Sequence, residues 1–243
     1  MAGIFKALIV AGAIIWAAPA FAQDEEVIVT ASRALIHSGD DDEAPVAPRP
    51  APAMMLRRTA DFAVQPVRVV GDTRDAVKRR EEIYAMLKGA IELASKSGVE
   101  LATGDYVVEP LTLANYKNLT LAEDNGRDDA EGAGFLIKTR LAPGMDSKTA
   151  LERITRFIKA IPTVGRAEFE AQGDLTLSVV SPDQYRGQII DLIAADAAKA
   201  TVKFGPNYAV TVTGLDRPVE WTRAGLTEVS LYLPSAYSIV PAK

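Results

Sequence analysis

Few residue types in this chain could do chemistry at neutral pH. Its single histidine, His37, stands in a polar stretch just before the acidic run Asp40-Asp41-Asp42-Glu43. Histidine is the usual proton shuttle near pH 7, but a Ser-His-Asp site needs it in packed surroundings. His37 is therefore read as solvated rather than catalytic. Cysteine is absent, which removes thiol catalysis, thiolate metal ligation and disulfides together. Zinc sites built on two or three imidazoles are excluded as well, leaving carboxylate-only calcium or magnesium sites. The acidic segment from Glu123 to Glu131 places Gly126 after Asp124-Asn125 but lacks the alternating oxygen ligands of a calcium loop, so a solvated turn is expected. The 32 Asp and Glu residues could furnish an acid/base pair by type, yet no spacing selects one. Neither a G-x-x-x-x-G-K-S/T loop nor a G-x-G-x-x-G loop follows any strand-like run. No catalytic residue, metal ligand or cofactor site is assigned, and the expectation is a protein that is not an enzyme.

Binding platforms are equally sparse. Trp221 is the sole tryptophan after Trp16, and it is expected to plug a core or an edge rather than stack a ligand. Tyr106, Tyr185, Tyr208, Tyr232 and Tyr237 fall on strand or helix faces, where packing explains them. The net charge of −5 and the scatter of 27 Lys and Arg residues argue against nucleic acid. The densest basic group, Lys78-Arg79-Arg80, lies beside Glu81-Glu82 and reads as a solvated helix face.

The first 33 residues carry an address. Lys6, an apolar run from Ala7 to Ala18 and the triplet Ala20-Phe21-Ala22 read as a cleaved secretory signal, too short for the ~30 Å hydrocarbon core that needs about 20 apolar residues. The expected product starts at Gln23 and works in the periplasm. Residues 34–57 combine the acidic run with Pro45, Pro48, Pro50 and Pro52, a composition expected to act as a semi-stiff spacer holding residues 23–33 away from the folded body.

In the body, residues 58–243, Phe62–Val70 is strand-like, with Pro66 predicting an edge or a bulge. Asp72 or Thr73 is expected to cap a long helix reaching Ser97, closed by Gly98, with Leu87, Ala90, Ile91 and Ala94 on its apolar face. Val99–Leu111, Tyr116–Leu121 and Phe135–Leu141 are read as strands. A second helix over Asp146–Ala160, strands at Arg166–Ala171 and Leu175–Val180, and a third helix from Ser181-Pro182 to Lys203 come next. Strands at Tyr208–Thr213 and Thr227–Ile239 end the chain. Strands interleaved with three amphipathic helices, in mixed or antiparallel sheets, predict an α+β fold. The late alanines Ala194, Ala195, Ala197, Ala198 and Ala200 are expected to bury against the helix's own sheet, with close approach of a neighbour as the other use.

Two resemblances follow from these residues. Glu25-Glu26-Val27-Ile28-Val29-Thr30-Ala31 resembles the TonB box of TonB-dependent outer-membrane receptors, which implies pairing as an added strand with a TonB-type transducer. On that reading Val27, Ile28, Val29, Thr30 and Ala31 bind a partner, and the chain is an accessory to energised transport or contacts an outer-membrane protein. The plug and large barrel of those receptors are missing. From about Ala60 onward the body resembles the SIMPL-domain family of periplasmic proteins. Ala60-Asp61-Phe62-Ala63-Val64 stands where that family has its P-D-x-A-like strand. Asp75–Ser97 with Gly98-Val99, Val107-Val108-Glu109-Pro110, Gly134-Phe135-Leu136-Ile137-Lys138 and the Asp191–Ala200 helix follow its pattern. The departures are Ala60 in place of proline, Gly205-Pro206 in place of an L-G pair, and an opening V-x-V-x-G strand that is not evident. This resemblance implies a non-enzymatic homo-oligomer, a scaffold or envelope-stress protein without known catalytic residues.

Overall fold

The computed structural model of the chain describes residues 25–29, 52–104, 107–123 and 129–242. It is an α+β fold of three helices and antiparallel strands. Residues 1–24, where a cleaved signal is expected, His37 and most of the proline-rich segment lie outside the described residues.

Two ten-residue strands form the spine, β3 (Phe62–Gly71) and β7 (Glu131–Arg140), paired antiparallel along their whole length. On its other side β3 takes two shorter strands end to end. β8 (Ala167–Ala171) pairs with Val67–Gly71, and β9 (Thr176–Val180) pairs with Phe62–Val64. The residues between β8 and β9 bulge out of register opposite Pro66, the one position of β3 without an amide donor. There Pro66 O still accepts from Gln172 N at 2.8 Å, and the buried Gln65 amide donates to Gln172 O and Gly173 O at 3.0 and 3.3 Å. The bulge that Pro66 predicts is therefore present, in the middle of the sheet.

Beyond β7 the sheet continues through β4 (Glu100–Thr103) to β5 (Glu109–Pro110), and beyond β9 it continues to β1 (Glu26–Val29). The two ends then meet. Val27 bridges Val107, and Val108 N donates to Glu26 O at 3.0 Å. This contact nearly closes the order β1-β9-β3-β7-β4-β5 into a small barrel, which covers part of both end strands.

Helices α1 (Ala76–Ala94) and α2 (Ser147–Ala160) cover the outer face of the spine. Asp75, and not Asp72 or Thr73, caps α1, its carboxylate accepting from Lys78 N at 2.9 Å; Thr73 and Asp72 are engaged elsewhere. Gly98 adopts φ 66° after the short 3-10 turn that ends the helix. Asp146 caps α2 by accepting from Thr149 N at 2.7 Å. Ile83, Leu87 and Ala90 meet Ile154 and Phe157 over Val67, Val69, Phe135 and Ile137 in the largest core.

A second core joins α3 (Arg186–Phe204) through Ile189 and Ile193 to Ala63, Leu177 and Val179. It is roofed by a three-stranded sheet of β11 (Glu220–Arg223), β12 (Glu228–Tyr232) and β2 (Leu56–Thr59). Trp221 is buried here as a core plug. Three expectations are corrected in this region. β2 starts at Leu56 and so takes up the last two residues of the linker expected over 34–57. β11 was not foreseen. The expected Thr227–Ile239 strand is two strands, because Pro234 interrupts it and β13 (Ala236–Pro241) leaves to pair with β10 (Tyr208–Thr213). Elsewhere, Tyr116–Leu121 is no strand. Asn115 accepts from Thr112 N and donates to Pro110 O, and this local bonding turns the chain into a 3-10 turn at Tyr116–Asn118. β6 (Ala122–Glu123) is a two-residue partner of β7.

Candidate functional site

The strand-prone segment at residues 25–31 is the natural starting point, because β1 is built from it. Val27, Ile28 and Val29 are β-branched and favour extension. Its register on β9 sets Glu26 opposite Val180 and Ile28 opposite Ser178. Alternation then divides its side chains. Val27 joins the second core beside Leu177, Val179 and Trp221, while Ile28 enters the barrel interior with Phe62, Val64, Ala102, Val108 and Leu136. Val27 is 1% exposed and Ile28 6%.

This corrects the picture of a tail held away from the body. The backbone groups that would have recruited a partner strand are used within the chain, on both sides of β1. Burying two such side chains is worth about 1.5–3 kcal/mol each, which a free tail would forgo. Thr30 and Ala31 lie outside the described residues.

Glu26 adds charge to this closure. Its carboxylate points into the barrel and accepts from Lys138 Nζ and, at 2.5 Å, from the fully buried Ser178 hydroxyl. Lys138 also meets Glu100 at 3.4 Å and lies 4.1 Å from the centre of the Phe62 ring. Glu100 is half exposed, so the cluster runs from the interior to the rim. Serine, lysine and carboxylate are residue types used in acyl transfer, but here they fasten a strand. The Ser178 hydroxyl is sealed from solvent and already donates to Glu26. Lys138 and Ser178 were not singled out from the sequence as site residues. The available signal was phase: Lys138 sits at an interior position of an alternating strand, where an unpaired cation would be costly.

A second ionic cluster lies where β3 leads into α1. Glu131 takes two bonds from Arg80, at 3.0 and 2.8 Å, and one from the buried Arg79 at 3.4 Å. The Arg79 side chain is thus not on a solvated face, because Glu131 on the neighbouring strand supplies its counter-charge. Glu82 accepts from the Thr73 hydroxyl at 2.6 Å and from Arg166 N at 3.1 Å, and Arg166 grips Asp72 at 2.6 and 2.8 Å. Hydrogen bonding from Arg80, followed by Arg79, holds the Glu131 carboxyl below its ordinary value despite partial burial. The Thr73 hydroxyl and the Arg166 amide do the same for Glu82.

A carboxylate with a depressed pKa contributes stability that is present above about pH 4.3, the unfolded value, and is lost as pH falls through the folded value. Replacing Arg80 with Gln is therefore expected to lower stability slightly at pH 7, and the gap to wild type is expected to shrink on acidification below about pH 4. Urea denaturation at pH 7 and pH 3 measures this; an equal gap at both would show that the Arg80–Glu131 pair is not the source.

Among the described residues, no group of three or more His, Cys, Asp or Glu side chains is placed to hold a metal ion. The acidic loop is described only at its ends, since residues 124–128 lie outside the described set.

No family model matches the chain, and no curated protein matches it. Two solved structures from Listeria innocua show distant similarity. One is a crystal structure of a hydrolase, with 13% identity, covering 75% of this chain and 91% of that one at a TM-score of 0.15. The other is an uncharacterized conserved protein, with 12% identity, 75% and 92% coverage and a TM-score of 0.14. Scores this low establish neither a shared fold nor a shared reaction.

Proposed function

We propose that this chain is a non-enzymatic, exported periplasmic protein of SIMPL-like kind that acts as an oligomeric scaffold or envelope-stress protein. The observation that carries this reading is an uncovered apolar surface at the C-terminal end of α3. Val202 is 82% exposed and Phe204 53%; Tyr208 and Tyr237, on one face of the β10–β13 ribbon, and Val240, on its other face, are exposed as well. Phe204 and Tyr208 meet edge to face at 6.4 Å. The β10–β13 ribbon has two strands only; α3 packs on one of its faces, with Val212 against the second core. Along α3 only Ile189 and Ile193 are fully buried. Ala194, Ala195 and Ala198, expected to face the helix's own sheet, are exposed. Apolar exposure concentrated at one helix end and the ribbon beside it is of the kind found at protein–protein contact sites.

β1 bears on the alternative, an accessory of TonB-dependent transport docking through residues 25–31. It weighs against that reading. Docking on a TonB-type transducer through residues 25–31 would require Val27 and Ile28 to leave their cores first.

Light scattering on residues 23–243 is the test. The expected mass is a multiple of the single chain, and Val202→Glu with Phe204→Ser is expected to return it to one chain without loss of secondary structure. A single-chain mass for the wild type at all concentrations would sink the scaffold reading.

A further inference from the structure

The β10–β13 ribbon presents a strand edge that nothing else among the described residues pairs with: β13 pairs with β10 alone. Ala242 N donates to Asn207 O at 2.8 Å, one step beyond the Tyr208–Pro241 pair. Residues of an antiparallel strand turn their backbone groups to alternate sides. Ala236, Ser238 and Val240 therefore point theirs at β10, and Tyr237 and Ile239 point theirs outward. We infer that this outer edge pairs antiparallel with the same edge of a second copy of the chain, an inference that rests on the scaffold reading and gives the scaffold its contact.

The composition of the edge argues for that occupant. None of the six residues of β10 or of the six of β13 is charged. The other strands that end a sheet each carry a charge: Arg57 in β2, Glu109 in β5, Glu123 in β6, Glu168 in β8 and Glu220 in β11. Charges of that kind keep an exposed edge from recruiting another strand, and β13 has none of them. Identical edges can meet only where they set no like charges opposite each other. Pro241 has no amide to offer, but it is the last residue of the strand, so Tyr237 and Ile239 keep theirs.

The outward groups are also self-complementary. With a twofold axis at Ser238, Tyr237 lies opposite Ile239 of the second copy, and Ile239 opposite its Tyr237. Both pairs then exchange N–H···O=C bonds in both directions, which is the isologous contact of a closed dimer. Two ribbons become one four-stranded sheet in the order β10-β13-β13-β10, with both β13 strands paired on each side. α3 keeps its place on one face of each ribbon. Tyr237, 46% exposed, and Val240, 37% exposed, gain neighbours across the new strand pair.

Analytical ultracentrifugation of residues 23–243 carrying Ser238→Lys, carrying Ser238→Glu, and of the two variants in equal mixture tests the pairing. Ser238 is exposed and lies on the ribbon face opposite Val212, so neither change reaches the second core. Each variant alone is expected to need at least a tenfold higher concentration than the wild type to assemble, because like charges meet across the twofold axis. The equal mixture is expected to assemble at the wild-type concentration or below it. Hydrogen exchange of the amides in residues 236–241 is expected to slow at least tenfold when the wild type assembles. Single variants that assemble as the wild type does, or a mixture no better than either variant alone, would overturn the pairing. So would slow exchange of these amides at single-chain mass, since another segment of the same chain would then cover the edge. A wild type that stays a single chain removes the scaffold reading and the pairing together, whereas an assembly indifferent to residue 238 removes the pairing alone.

Discussion

Glu26→Ala is expected to destabilise the chain by about 3–5 kcal/mol, the range for removing one partner of a buried ion pair. Lys138 is 5% exposed and Ser178 fully buried, so neither can turn to water when the carboxylate is gone. Among the described residues the ammonium keeps Glu100 as its one carboxylate, at 3.4 Å and on the rim, and the serine hydroxyl loses the acceptor to which it now donates. Such a loss is a large part of the 5–15 kcal/mol that a domain usually holds. The companion variant Lys138→Met isolates the cause. Combined with Glu26→Ala it replaces the pair with apolar volume, and it is expected to recover most of the loss, because a buried pair and a well-packed apolar substitute are often of similar stability. Urea denaturation of both single variants and the double variant gives the coupling directly. If the double variant is as unstable as the sum of the singles, the two side chains do not act as a pair and the lock is misread.

Removal of the whole strand should have a still larger effect. A chain beginning at Pro52 lacks Val27 and Ile28, whose burial contributes about 3–6 kcal/mol together, and lacks the Glu26 carboxylate as well. It would also open the barrel between β9 and the Val107–Val108 segment, exposing Phe62 and Val64 from the interior and leaving a free edge. Loss of cooperative unfolding is expected, measured by circular dichroism during a thermal melt. A peptide of residues 23–33 added in excess is expected to restore the transition in a saturable manner, because the groove it leaves can pair with a strand on both sides. Ile28→Pro in that peptide removes an amide donor and the buried side chain together, and is expected to prevent rescue. A chain from Pro52 that melts like residues 23–243 would show that β1 is dispensable. This experiment also bears on partner docking, since any transducer must compete with the intramolecular strand for the same backbone groups.

Much of the fold was legible because its signals are local. The alternation of β7, the Pro66 bulge, the Asp146 cap and the left-handed Gly98 each depend on residues within a few positions. The misreadings share another cause. Asp72 and Thr73 have the composition of helix caps, but Arg166 and Glu82 claim them from α2's far side of the chain and from the next turn of α1. The Lys78-Arg79-Arg80 group looks solvated until β7 brings Glu131 against it. The candidate site was half legible: the extended character of residues 26–29 was evident, whereas their destination was not.

By itself the sequence determined the α+β class, the positions of the three helices and the strand tendency of Val27-Ile28-Val29, because these follow from residue type and short-range periodicity. Only the tertiary structure decided what that tendency serves. Glu26 meets Lys138 across 112 residues and Ser178 across 152, and no local propensity encodes which distant edge a strand will join. Pairing is settled by which arrangement buries the most apolar surface while leaving no buried charge unmatched, and that is a property of the closed barrel as a whole.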